Sequence, residues 1–172
     1  MGQKRDYTAI AVVERRGAKL MVRHLERVTL GTSYPRVVER VRELVQSEAL
    51  KGRCVVAMDG TGVGVAVLDM MRAAALGCEV SAVTITSGTR ESSNSVPKRH
   101  LMTGMAGALA RGELRITRQM REVGVLVQEL MDVRITARRR AGSVRIGADG
   151  NGQHDDLVVA LALACWRAGK RD

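Results

Sequence analysis

This sequence predicts a mixed α/β domain with helices on both faces of its sheet. Three observations carry that prediction. Short apolar runs rich in Val and Ile alternate with longer stretches of helical periodicity. The first two runs are joined by a tight turn, as in a hairpin. The later runs are each followed by a helix, the pattern that gives parallel pairing. The chain has 172 residues, enough for one domain with its own core. No repeat or linker divides it, so one domain covers 1–172.

Residues Tyr7 to Glu14 read as the first strand. Arg15-Arg16-Gly17-Ala18 is a turn, and Lys19 to Leu25 a second strand. Thr32-Ser33-Tyr34-Pro35 opens a helix, with Pro where a first helical turn accepts it. Val37, Val38, Val41, Leu44 and Val45 then recur at helical spacing, with Glu39, Arg40, Arg42 and Glu43 facing outward. Arg53 to Met58 suits a buried strand, and a helix follows over Val63 to Ala75. Val80 to Ile85 is another strand and Thr86 to Ser95 a polar loop. Pro97 to Arg111 is a helix ended by Gly112, Leu114 to Ile116 a brief extended piece, and Gln119 to Met131 a further helix. Val133 to Ile146 reads as a basic hairpin turning at Arg138-Arg139-Arg140-Ala141-Gly142. After a loop over Ala148 to Gln153, the last helix runs from Asp155 to Ala168.

Composition narrows the function. Hydrophobic residues make up 45%, too many for a disordered chain. Aromatics are only 2%, which excludes aromatic base-stacking platforms for single-stranded nucleic acid. Basic residues number 28, of which 23 are Arg, for a net charge of +10. That excess suits a polyanion, most simply nucleic acid, or else a solvated basic surface. Cys54, Cys78 and Cys165 lie in apolar settings without metal-ligand spacing, as reduced core residues do. No apolar segment approaches the roughly 20 residues of a membrane span, and no signal peptide is evident. A soluble, cytoplasmic protein with no membrane partner is the expectation.

Carboxylates stand out against this basic background. Asp59 ends the run Cys54-Val55-Val56-Ala57-Met58 and precedes Gly60-Thr61-Gly62-Val63-Gly64. In open α/β sheets, ligand sites gather beyond the carboxyl ends of strands. The glycine turn lacks the Gly-Lys-Ser/Thr ending of a nucleotide-binding loop. Asp59 reads either as a site residue or as a turn or cap residue. Asp155 and Asp156 follow His154 and lead into a helix apolar on all sides. One Asp suffices as a helix cap. Two so close repel each other, and a cation relieves that repulsion. Oxygen ligands suit Mg²⁺ or Mn²⁺ beside a phosphodiester. His154 reads as a ligand, a phosphate contact, an orienting residue or a plain loop His. Asp6, before the first strand, is an outer ligand or only a strand-end residue. Arg134, Arg138, Arg139, Arg140 and Arg145 suit phosphate contact, and Lys98 starts a helix where a phosphate can dock; a solvated hairpin and a solvated first turn are the alternatives.

Four motifs in order carry a resemblance. They are Asp6-Tyr7-Thr8-Ala9-Ile10, then Met58-Asp59-Gly60-Thr61-Gly62-Val63-Gly64, then Val96-Pro97-Lys98 before a helix ending Arg111-Gly112-Glu113-Leu114, and finally His154-Asp155-Asp156-Leu157-Val158. Over nearly the whole chain, this set resembles the nuclease domain of phage large terminase subunits. The resemblance implies an RNase H-like fold and two-metal cleavage of double-stranded DNA during genome packaging in a bacterial host. It implies Asp59 with Asp156 or Asp155, Asp156 being preferred of that pair, as the catalytic carboxylates holding Mg²⁺ or Mn²⁺, with Asp6 as an outer ligand. The basic hairpin would guide DNA, and a terminase ATPase domain, small terminase subunit or portal would be partners. No Walker motif is present, so the ATPase domain is not within these residues.

The family's sheet has a further strand at its centre, ending in an essential Asp just before the position of Asp6. That strand is missing here. The expectations are therefore three: a start further upstream, a decayed remnant, or re-pairing of the strands over 7–14 and 53–58 to close the sheet. The competing function is an inactive DNA-binding or assembly remnant of a prophage terminase. A Holliday-junction resolvase or transposase-like nuclease would keep the fold and change the substrate.

Overall fold

The computed structural model describes residues 7–61, 65–137, 144–148 and 154–170. The chain opens with a hairpin of β1 (Thr8–Arg16) and β2 (Lys19–Val28), antiparallel through the pairs Thr8↔Val28 to Arg16↔Lys19. The turn narrows to Gly17-Ala18 because Gly17 takes a left-handed φ of 59°, open to glycine at little cost. A bulge at Val12/Val13 shifts the register once. Helix α1 (Tyr34–Val45) follows, with Pro35 in its first turn, and buries Val37, Val38, Val41 and Val45 on one side.

Strands β3 (Val55–Asp59), β4 (Glu79–Thr86) and β5 (Ser95–Pro97) pair in parallel, joined by helix α2 (Val65–Ala73) and a polar loop. β5 lies within the segment read as loop and helix start; Ser95 to Pro97 is too short to show any periodicity. Helix α3 (Lys98–Ala110) ends before Gly112, whose φ is 64°. β6 (Leu114–Arg115) then joins β2 in parallel. Helix α4 (Val123–Asp132) starts later than its sequence suggested. Residues from Thr117 turn instead, through bonds from Met120 N–H to Thr117 O and from Val123 N–H to Met120 O. β7 (Val133–Ala137) and β8 (Val144–Ala148) form the expected antiparallel ribbon, and α5 (Asp156–Gly169) closes the chain. None of the described helices is long and apolar enough to cross a membrane.

Helices cover both faces as expected, but the sheet is split. β1-β2-β6 and β3-β4-β5 are separate three-stranded sheets, and β1 and β3 are edge strands. The two sheets nonetheless share their packing layers. Ile10 and Val28 of the first sheet pack with Val56, Met58 and Val80 of the second against α1 and α2. On the other face, Ala9, Ala11 and Val13 join Ala57, Val83 and Ile85 against α3, α4 and α5. The fully buried Leu157, Val158 and Leu161 of α5 anchor that second layer. A cavity of about 1800 Å³ runs between the sheets, lined by every residue of β1 and of β3. Successive residues of a strand point to opposite faces. A cavity touching all of them therefore follows the strand edges themselves. The expected re-pairing of these two edges does not occur among the described residues.

Candidate functional site

The carboxyl ends of β3, β4 and β5 point the same way, because the three strands are parallel. Asp59 is the last residue of β3. Its Oδ1 accepts the Thr61 N–H at 2.9 Å, and Thr61 Oγ1 in turn accepts the Ile85 N–H at 2.8 Å. The tight turn after β3 is thus tied to β4, which fixes the direction of Asp59. Gly60 lets the turn lie close to β4: a Cβ there would sit 3.3 Å from Ala82 Cβ, which would have to give by a few tenths of an ångström. Asp59 does serve the turn, as one reading of the sequence had it, and it also lines the cavity.

Lys98 begins α3 directly after β5, at the same edge of the sheet. Its ammonium lies 2.6 Å from Asp155 Oδ2, with both side chains mostly buried. Asp156 Oδ2 accepts the Tyr7 N–H at 3.3 Å and lies 3.6 Å from His154 Nδ1. The Tyr7 and His154 rings meet edge to face at 5.0 Å. Asp59, Lys98, His154, Asp155 and Asp156 all line the same cavity.

Neither Asp155 nor Asp156 is explained as a helix cap. Asp155 stands at the N-cap position of α5 with no side-chain cap bond. The cap comes from a residue the sequence reading missed. Glu129 of α4, 3% exposed, accepts the Leu157 and Val158 N–H groups with Oε2 at 2.8 and 3.1 Å. Its Oε1 accepts from Arg27 at 3.0 Å, and the Arg27 guanidinium lies 4.2 Å over the Tyr7 ring. Burial pushes the Glu129 carboxyl up to about 6. The Val158 N–H, the Arg27 charge and the Leu157 N–H oppose that rise, and the Asp156 charge adds to it. A signal for Glu129 was present: it lies three residues beyond Leu126, which is fully buried, on the core stripe of the helix.

The cap of α5 is thus supplied by Glu129 rather than by Asp155. Mg²⁺ commonly takes one or two carboxylates and completes its shell with water and phosphate oxygens. Asp59 and Asp156 are two carboxylates lining the one cavity. Asp155 is held by Lys98, and among the described residues no group of three His, Cys, Asp or Glu is arranged around one point.

The remaining predicted residues divide. Arg134 and Arg145 sit on the ribbon, opposite Gly147 and Thr136 respectively. Asp6, Arg138, Arg139 and Arg140 lie outside the described residues. Lys98 is directed into the acidic cluster rather than outward. No protein-family model, curated protein or solved structure matches this chain.

Proposed function

We propose that this chain is a terminase-type nuclease domain, RNase H-like in fold, that cleaves double-stranded DNA with Mg²⁺ or Mn²⁺. The observation that carries the reading is that Asp59, at the carboxyl end of a parallel strand, lines the same cavity as Asp155 and Asp156, in a chain of net charge +10. Asp59 and Asp156 would hold the ion, which when bound supplies a polarised water and stabilises the departing oxygen. Asp59 is aimed by its own turn, through Thr61 and Ile85. Asp156 is aimed by the Tyr7 backbone and His154. Lys98 offsets the charge of Asp155, so two adjacent carboxylates coexist without full repulsion. The ribbon carrying Arg134 and Arg145 offers positive charge for the DNA backbone. A terminase ATPase domain, small subunit or portal, within a bacterial host cell, completes this reading.

The test is cleavage of linear duplex DNA by the purified chain in Mg²⁺ or Mn²⁺, beside Asp59→Asn. Cleavage is expected in the parent chain and lost in the variant, with DNA binding retained in both. Equal cleavage by Asp59→Asn would remove this residue from the mechanism.

A second reading, a DNA-binding remnant without turnover, is favoured by one observation. Asp155 is already neutralised by Lys98 at 2.6 Å, which leaves two carboxylates for a metal. This reading expects salt-sensitive DNA binding and no cleavage in either ion.

A further inference from the structure

Two of the three cysteines meet on one face of the parallel sheet. β3 and β4 pair in register from Val55↔Glu79 to Asp59↔Val83. Alternate residues of a strand share a face. Val56 and Met58 of β3, with Val80 and Ala82 of β4, all pack into the layer that holds α1 and α2. Two residues before Val56 and Val80 stand Cys54 and Cys78, and both pack against that same layer. They lie side by side where the two strands begin. Cys165 belongs to α5 and to the layer on the opposite face, so it cannot join them.

The spacing suits a covalent bond. Neighbouring strands lie about 4.8 Å apart, and a disulfide spans Cα atoms about 4.4–6.8 Å apart. The pair Val55↔Glu79, one residue on, holds Cys54 and Cys78 near that distance. Both cysteines precede the paired segment, so their Cβ atoms can close to the roughly 4 Å of a disulfide without shifting its register. Their thiols already interact, through a hydrogen bond between them. Both are half-buried, within reach of a small solute, whereas Cys165 is buried.

We propose that Cys54 and Cys78 form a reversible disulfide site, closed by exchange with a low-molecular-weight disulfide. One cysteine thiolate attacks the small disulfide, breaks its S–S bond and releases one small thiolate. The other cysteine thiolate then attacks the sulfur of the first, forms the Cys54–Cys78 bond and releases the second small thiolate. The protein pair is oxidised, losing two protons and two electrons, and the small disulfide takes up both as two thiols. The new bond closes a loop that contains β3, Asp59 and α2. It staples the ends of β3 and β4 opposite to Asp59, so it constrains that strand without touching the acidic cluster. Burial, reinforced by Cys78, pushes the Cys54 thiol up to about 11. Exchange should therefore be slow at neutral pH and quicken as pH rises, as in a slowly set staple rather than a fast catalytic pair.

The test equilibrates the whole reduced chain with mixtures of oxidised and reduced glutathione at about pH 8.5, where thiolate is available. After an acid quench, thiols are counted in denaturant and bonds are mapped by mass spectrometry of proteolytic fragments. The expected result is loss of two of the three thiols, with one fragment pair joined through Cys54 and Cys78 and Cys165 left free. The bond should form in the folded chain at a ratio of glutathione disulfide to thiol at least about tenfold lower than in urea, because the fold holds the two thiols together. Cys54→Ser and Cys78→Ser should each form no internal disulfide. Should either variant fail to fold, the fragment map and the urea comparison of the parent chain decide alone. A bond through Cys165, a glutathione adduct left on one cysteine, a bond between two chains, or no loss of thiols would each overturn the proposal. So would a pair that closes no more readily in the folded chain than in urea.

Discussion

Removing the Glu129 carboxylate tests whether this residue holds the acidic cluster in place. The first perturbation is Glu129→Ala. It orphans the Leu157 and Val158 N–H groups at the buried start of α5 and strips Arg27 of its carboxylate. Arg27 Nε already lacks a partner, so little is left to hold that charge. Two unsatisfied buried donors and a broken ion pair together cost about 3–5 kcal/mol. Glu129→Gln is gentler. Its carbonyl still accepts from the backbone, but its amide opposes the Arg27 donor. The lost charge assistance is partly offset because the ionised carboxylate was itself paying for burial. The rise from 4.5 to about 6 corresponds to about 2 kcal/mol. A net loss of about 1–3 kcal/mol is expected at neutral pH.

The pH dependence has a definite sign. In the folded state Glu129 binds its proton more tightly than in the unfolded chain, because its value is raised. Its contribution is therefore fully present below pH 4.5 and is lost as pH rises through about 6. Wild type should lose about 2 kcal/mol relative to either variant across that window. Urea unfolding followed by circular dichroism, repeated from about pH 4 to pH 7.5, measures both quantities. An Ala variant within about 1 kcal/mol of wild type, or a difference flat in pH, would refute the reasoning.

The cysteines and Lys98 give further expectations. Burial, reinforced by the neighbouring Cys78, pushes the Cys54 thiol up to about 11, and burial alone pushes Cys165 up to about 12. Iodoacetamide at neutral pH should label both far more slowly in the native chain than in urea; fast native labelling would contradict the packing around them. Lys98→Ala should leave the salt slope of DNA binding unchanged, since its charge is committed to Asp155. A slope smaller by about one would mean that Lys98 meets a phosphate instead.

Most elements were legible because their signals are local. The Val-rich periodicity of α1 and the runs Tyr7 to Glu14, Arg53 to Met58 and Val80 to Ile85, which fall within a residue or two of β1, β3 and β4, need no tertiary information. The misses are of two kinds. β5, with three residues, is too short for any periodicity, and its strand character comes from the β4 edge it pairs with. Glu129 was missed because one Glu in an amphipathic helix counts as outward by composition, and only its phase against Leu126 places it in the core. The carboxylates at Asp59 and Asp155-Asp156 were legible as exceptions, charges at the ends of apolar elements. What sequence could not give was their partners. Lys98, bound to Asp155, and Tyr7, bound to Asp156, are far from them in the chain, and only the fold brings them together.

The split sheet and the acidic cluster bear on each other. Tyr7, immediately before β1, bonds Asp156 through its backbone, while Asp59 belongs to β3. The two carboxylates proposed to hold a metal thus belong to, or are bonded beside, the two edges that line the cavity. Whatever sets the spacing of those edges sets the spacing of Asp59 and Asp156. α5 and α1 span both sheets and hold them in register, but helix packing tolerates small shifts that a hydrogen-bonded ladder does not. Leu161→Ala, which opens the α5 layer beneath β1 without touching either carboxylate, should therefore lower Mn²⁺ affinity several-fold in a titration of the folded variant. Equal Mn²⁺ affinity in that variant would mean that the spacing of the two sheets does not set the proposed site.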